Sequence, residues 1–365
     1  MMARGNVTAA DPEIRVELRS DTKTRPSPGM RAAMAAAEVG DEQAGEDPNV
    51  RALCERVADL LGKESALFLP SGTMCNAIAV AVMCRPGDEI VADVRSHLFN
   101  TEAAGAAALA GAQIRTVDGD RGRFTAGDLL GALRGRKRNA PRSRLVAVEQ
   151  TVNRGGGAVW PLDRLQDVAS CAHVNGLFVH MDGARLLNAV VASGIAAKDF
   201  AGPCDAIWLD LSKGLGCPVG AVLAGSRDFV EEAWRWKHRL GGSMRQAGIL
   251  AAAGLYALDH NVERLAEDHA NAKRLARALR AIAGLKLDAA EPETNIVFFD
   301  VAGTGLDAAA FSARLRERGV AIGAETATRL RAVTHLDVDS SAIDAATSVI
   351  GRVAGAGNSN QEERP

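Results

Sequence analysis

The sequence predicts an α/β protein: a large domain on a mainly parallel, doubly wound sheet, followed by a smaller α+β domain. Three observations predict it. Short apolar runs recur between residues 66 and 224, separated by helical patterns, which marks successive strand–helix units. Several runs end in reactive or anion-binding residues: Ser71-Gly72-Thr73, Asp182 and Lys213. In open α/β sheets such ends are where ligands bind. Beyond residue 260 the order changes, and a long amphipathic stretch precedes short strands and helices.

Taken in order, residues 1–15 read as a loose arm, and Glu17 to Pro28 as a hydroxyl- and charge-rich lead-in broken by prolines. Helices are expected over Pro28–Glu38 and Asn49–Leu61, the second ending at Gly62. Ala66–Leu69 is a short strand, and Ser71-Gly-Thr-Met leads into the helix Cys75–Cys84. Strands follow at Glu89–Ala92, Ala112–Val117, Leu145–Glu149 and Leu177–Met181. Helices are expected at Thr101–Ala110, Thr125–Arg134, from Pro161 and after Arg185. Ala206–Leu211 and Ala221–Ala224 are buried strands around Lys213 and its glycines. Helices Asp228–Arg239, Ala247–Asp259 and Asn261–Ala283 come next. The smaller domain has strands at Ile296–Val301, near Val320 and at Arg331–Val338, a helix at Asp307–Arg318, and a final helix. The expected spans are an arm 1–25, a large domain 26–260, a small domain 261–354 and a polar, disordered tail 355–365.

Of the 365 residues, 47% are hydrophobic, enough for a large core. A net charge of -2 gives no basic footprint for nucleic acid. No apolar run reaches membrane-spanning length, and Met1 to Asp11 lacks a basic-then-apolar signal pattern. A cytoplasmic location is expected. The six cysteines show neither Cys-x-x-Cys pairs nor zinc-type spacing, so no disulfide framework or structural metal is expected.

A lysine at the end of a buried strand is costly unless it is paired, neutral or converted to an imine. Lys213 stands in that position. Lysine nucleophiles form Schiff bases with carbonyl cofactors such as pyridoxal phosphate, which needs three supports. Its phosphate suits a helix N-terminus, here Ser71, Gly72 and Thr73. Its pyridine nitrogen needs a carboxylate, here Asp182, and its aldehyde needs a lysine. A histidine such as His97 can lie against the ring and move protons. Each feature has a plainer reading alone: a helix cap, a loop histidine, a strand end. Together they favour the cofactor.

The chain also resembles the threonine aldolase family of fold-type-I pyridoxal-phosphate enzymes. The matching stretches include Leu18-Arg-Ser-Asp-Thr, Gly45-Glu-Asp-Pro, Leu69-Pro-Ser-Gly-Thr-Met, His180-Met-Asp-Gly-Ala-Arg-Leu, Leu211-Ser-Lys-Gly-Leu-Gly-Cys-Pro-Val-Gly, Gly242-Ser-Met-Arg-Gln-Ala-Gly and Arg331-Ala-Val-Thr-His-Leu-Asp-Val. They run in order from about residue 17 to 340. The resemblance implies a seven-stranded sheet and a covalent aldimine of the cofactor on Lys213. It implies that Asp182 pairs with the pyridinium, that His97 stacks on the ring, and that Ser71, Gly72 and Thr73 bind phosphate. Arg245 would reach the cofactor from a neighbouring subunit of a homotetramer built from dimers, with sites at the dimer interface. Ser20, Arg185 and Arg331 would hold the substrate carboxylate, with Arg185 also touching the cofactor and His238 near the substrate. The implied activity is cleavage of the Cα–Cβ bond of a β-hydroxy-α-amino acid to glycine and an aldehyde. Other reactions on the same cofactor (β-elimination, transaldol exchange, racemisation) and a non-catalytic binding protein are the alternatives.

Several positions depart from the family pattern. Ala44 and Thr101 replace tyrosines, Val152 replaces a histidine in Glu149-Gln-Thr-Val-Asn153, and His238 replaces a lysine. These changes are expected to enlarge the pocket and favour a bulkier substrate, such as a phenylserine; the alternative is that other residues fill the space and threonine is still cleaved. They leave His97 or water as the leading proton acceptor, with His238 a weaker one.

Overall fold

The computed structural model describes residues 13–358 other than residue 136. Seven strands form the large sheet: β2 (Ser65–Leu69), β3 (Asp88–Asp93), β4 (Gln113–Val117), β5 (Arg142–Glu149), β6 (Phe178–Gly183), β7 (Ala206–Asp210) and β8 (Ala221–Gly225). They are ordered β2-β8-β7-β6-β5-β3-β4. Only β8 runs against its neighbours; the other strands are parallel to one another. β5 to β8 are apolar and buried because helices cover both faces of a parallel sheet.

A smaller antiparallel sheet holds β9 (Lys286–Leu287), β10 (Ile296–Asp300), β12 (Gly323–Ala324) and β13 (Arg329–Val333), in the order β12-β13-β10-β9. β1 (Val16–Glu17) pairs in parallel with β11 (Val320–Ala321). Val16 and Leu18 are buried in the core formed by the helices Leu265–Arg280, Ala308–Arg316 and Ser340–Asn358. The strand β1 therefore packs against the C-terminal part of the fold, and the segment after it crosses to the large sheet.

Helix boundaries follow local chemistry. Asp47 accepts from the amides of Asn49 and Val50, and Pro48 opens the helix Pro48–Leu61. Gly62, at φ 60°, closes it in the left-handed conformation. The helix expected over Asn261–Ala283 begins only at Leu265, because Asn261 closes the preceding helix Gly248–His260. The last helix runs to Asn358, so residues 355–358 are helical and not part of a disordered tail. The rest of that tail, and most of the expected N-terminal arm, lie outside the described residues.

One buried ion pair joins the turn Glu42–Ala44 to the helix Arg227–Arg239. The side chains of Glu42 and Lys237 are 1% and 0% exposed and paired, and Lys237 Nζ lies 4.4 Å from the Trp234 ring centroid. Glu42 also accepts from the Met244 amide at 2.9 Å, and its own amide donates to Arg245 O at 3.0 Å. Glu42→Ala strands a buried ammonium and is expected to cost about 3–5 kcal/mol, read as a lower denaturant midpoint. The joint change Glu42→Leu with Lys237→Met should cost far less; equal losses from both would show that the pair is not what holds this turn to the helix.

Candidate active site

The carboxyl ends of β5, β6 and β7 place Glu149, Asp182 and Trp208 in one row, because Glu149 pairs with Asp182 and Asp182 with Trp208 in register. A cavity of about 390 Å³ opens over this row. It brings together Ser20, Gly72, Thr73, His97, Asp182, Arg185, Lys213 and Arg331. A larger cavity, about 580 Å³, opens beside it between Arg121, Arg154 and Phe298. It holds neither the lysine nor the strand-end carboxylates, so the chemistry belongs to the smaller one.

Lys213 lies in the turn after β7, with its side chain 17% exposed and Nζ 2.7 Å from Asp210 Oδ2. Asp210 Oδ1 accepts from the Ser212 amide and hydroxyl, which orients the carboxylate toward the lysine. The hydroxyl of Thr24 donates to Lys213 O at 2.9 Å, so the N-terminal segment holds the turn from the other side.

Ser71 caps the helix Gly72–Met83 by accepting from the Met74 amide. A Cβ on Gly72 would lie 2.1 Å from the Trp208 ring, so only glycine lets the helix start rest on the indole. Gly72 and Thr73 face the cavity at the positive end of that helix. Asp182 accepts from Asn76 Nδ2 at 2.9 Å and from the Ala184 amide at 3.0 Å.

His97 starts a short helix, and its Nδ1 donates to Glu102 Oε1 at 2.7 Å. The same Glu102 oxygen accepts from Asn76 at 2.7 Å. Burial lowers the His97 pKa, but Glu102, Asp182 and Glu149 outweigh it, and the imidazole sits above its ordinary value. The donor atoms of His97, Glu102 and Asp182 lie within 4.8 Å of one another, as metal ligands can. Asn76, hydrogen-bonded to both carboxylates, accounts for the cluster without an ion.

Arg331, on β13, donates from Nη1 to Asn153 Oδ1 at 2.8 Å and from Nη2 to Arg19 O at 3.3 Å. Arg185 is committed more deeply. Its Nε and Nη2 donate to both oxygens of buried Asp21, each at 2.7 Å. Burial raises the Asp21 pKa, but Arg185, Lys213 and Asn295 overcome it and hold the carboxyl at about 2. Asp21 thus takes two of the five Arg185 N–H donors, and the Nη1 hydrogens with the second Nη2 hydrogen are what remain for a substrate carboxylate. Ser20 accepts from the amide and hydroxyl of Thr22, with its oxygen at the cavity wall.

Two expected residues lie elsewhere in the chain. Arg245 pairs with Asp41 at 2.7 Å and is 63% exposed, and His238 Nδ1 lies 3.2 Å from Ser243 Oγ. Neither lines the cavity of its own chain. The expectation of a larger pocket also needs correction. Val152 is 1% exposed and packed in the main core, and a Cβ on Gly122 would meet it at 2.4 Å. Ala44 is exposed and off the cavity; of the three, only Thr101 lines it.

Sequence reasoning missed Glu149, Glu102, Asn76, Asp210 and Asp21 as site residues. A signal existed for Asp210, a strand-end carboxylate three residues before the lysine, like Asp182 at the end of β6. Glu149 stands in a quoted motif, but its neighbours became visible only in the sheet register.

Comparison with known proteins shows the chain's family and fold. Residues 17–304 match the beta-eliminating lyase family. The chain is 42% identical to the low specificity L-threonine aldolase of Escherichia coli (strain K12) over 324 residues, 88% of this chain and 94% of that protein. It is 39% identical to low-specificity L-threonine aldolase 1 of Arabidopsis thaliana, over 89% of this chain and 92% of that one. The solved threonine aldolase of Leishmania major superposes with a TM-score of 0.80 at 20% identity, over 93% and 99% of the two chains, which shows the shared fold. The chain belongs to the beta-eliminating lyase family, within its group of low-specificity L-threonine aldolases.

Proposed function

We propose that the protein is a pyridoxal-phosphate-dependent lyase that cleaves β-hydroxy-α-amino acids such as L-threonine to glycine and an aldehyde. The observation that carries this is the meeting, in one cavity, of a strand-end lysine, a strand-end carboxylate, a histidine, a helix N-terminus and an arginine. The residues present fit the cofactor. Gly72 keeps the helix start low against Trp208, Asp182 is buried and already hydrogen-bonded in place, and Lys213 is within the same cavity.

Lys213 would hold the cofactor's aldehyde carbon, Asp182 its ring nitrogen and the first turn at Gly72 and Thr73 its phosphate, while His97 would face the ring. When bound, the cofactor supplies an electron sink for bond cleavage at Cα. The chain's own residues do the rest. Arg331 grips the substrate carboxylate, its guanidinium already oriented by Asn153 and Arg19 O. Asp21 keeps Arg185 pointed along the cavity wall. Asp210 steadies the Lys213 ammonium. His97, steered by Glu102 at Nδ1, is the leading acceptor of the β-hydroxyl proton, directly or through water. No tyrosine competes, because the single tyrosine, Tyr256, packs against His260 and Gly29.

The finer reading is a cytoplasmic homotetramer, a dimer of dimers with a large domain over 26–260 and a small domain over 261–354. Two observations support it: Arg245 and His238 lie away from their own cavity, and no helix among the described residues is long and apolar enough to cross a membrane.

Purified enzyme with L-threonine should release glycine and acetaldehyde in equal amounts; 2-oxobutanoate and ammonia would mean β-elimination instead. Lys213→Ala should abolish release. Gly72→Ala should weaken cofactor binding to the apoprotein by more than about tenfold, measured by fluorescence titration, because the added methyl must displace Trp208 or the helix start. Unchanged affinity would separate Gly72 from the phosphate site.

A further inference from the structure

A continuous hydrogen-bonded rim runs around the cavity. Arg331 binds Asn153; Asn153 donates its amide to Glu149 Oε1 at 2.7 Å; Glu149 Oε2 accepts from the His97 amide at 2.8 Å. From His97 the rim continues through Glu102 and Asn76 to Asp182. Glu149 is the link in this rim between the arginine at the substrate end and the histidine at the ring end. Its side chain also lines the cavity, although the residue is only 6% exposed.

We propose that Glu149 is a positioning residue that couples the substrate-carboxylate clamp to the ring-facing histidine, and that its ionised form does so. The proposal rests on the lyase assignment above. An ionised carboxylate accepts with both oxygens, one toward each wall; a protonated one keeps one strong acceptor and adds a donor with no acceptor opposite it. The walls would then loosen together, at Asn153 and so at Arg331, and at His97.

The groups around Glu149 put this choice near neutrality. Asp182 faces it from β6, His97 from the short helix after β3, Arg185 from the turn after β6, and Glu102 lies beyond His97. Burial and the Asp182 charge raise the carboxyl, the amides of Asn153 and His97 and the His97 charge lower it, and the balance lies at about 7. The sign follows: with a raised pKa, the ionised and competent form is present above about 7 and lost as pH falls through it.

The test is Glu149→Gln, which keeps the side chain's size and removes the charge. Its KM for L-threonine and its glycine dissociation constant, the latter by calorimetry on the holoenzyme, should rise roughly ten- to hundredfold. Its kcat should change less, and the acid limb of kcat/KM between about pH 6 and 8 should become shallower, leaving the single ionisation of His97 as proton acceptor. Asn153→Ala should raise the same constants, and the double variant should be no worse than the worse single one. Glu149→Asp keeps the charge one methylene short: the steeper limb should return without the affinity. If Glu149→Gln is not folded by its thermal melt, the Glu149→Asp and Asn153→Ala pair carries the same test. Wild-type glycine affinity in the Gln or Asp variant, an acid limb as steep as the wild type's in the Gln variant, or multiplying losses in the double variant would overturn the proposal. Failure of the lyase assignment would show separately, as absence of glycine from wild-type enzyme.

Discussion

Two carboxylates lie side by side at the ends of adjacent parallel strands, Glu149 on β5 and Asp182 on β6, and much of the site answers that constraint. Adjacent strands sit about 4.8 Å apart, so two buried negative charges there repel strongly unless one is protonated or both are hydrogen-bonded. The protein uses both remedies. Asp182 is held by Asn76 and the Ala184 amide, while Glu149 takes two backbone amides and shifts toward neutrality. Asn76 in turn is fixed because its Oδ1 accepts from Trp208 Nε1 at 2.7 Å and lies 2.9 Å from His180 Nε2. The indole that supports Asn76 is the one on which Gly72 rests, so the helix start at Gly72 and the Asp182 carboxylate share one support.

The smaller sheet supplies the other half of the site. Arg331 stands on β13, opposite Phe298 on β10, and reaches the cavity across the loop that carries Asn153. The N-terminal segment bridges the two sheets. Val16 and Glu17 pair with β11, Asp21 binds Arg185 and Asn295, and Thr24 binds the Lys213 carbonyl. The nine residues Val16–Thr24 therefore join β11, β13 through Leu18 O, the turn after β6 and the lysine turn. A buried pair such as Asp21–Arg185 is a weak source of net stability, but breaking it is costly, which makes it an effective fixing device.

Much of this was legible in the residues, and the boundary is physical. The buried strands β5 to β8 announce themselves as apolar runs, and the chemistry at their ends follows from parallel topology. The two-residue strands β1, β9 and β12 carry no periodic signal, because their pairing is decided by partners elsewhere in the fold. The strand expected over Arg331–Val338 ends at Val333, since Thr334 turns inward to bind the carbonyls of Asp268 and Asn295. Lys213 and Asp182 could be chosen by residue type and position. Glu149 could not, because what makes it unusual is the neighbour across the sheet.

Val152 shows the same limit from the other side. Its motif position suggested a pocket residue, and its replacement of a histidine suggested added space. In the fold its amide donates to Ala158 O, and its side chain turns into the core beside Gly122, whose φ of 86° brings that loop close. A valine there strengthens the loop's packing rather than widening the cavity. The residues on either side of it, Thr151 and Asn153, diverge: Thr151 is fully buried, whereas Asn153 turns to the cavity and holds Arg331. What this chain lost in acid–base capacity at 152 it did not regain as volume, so any preference for larger substrates must arise at Thr101 or from a neighbouring subunit. Among the cavity's side chains, His97 then remains the one imidazole, and its orientation depends on Glu102 at the ring and Glu149 at the backbone.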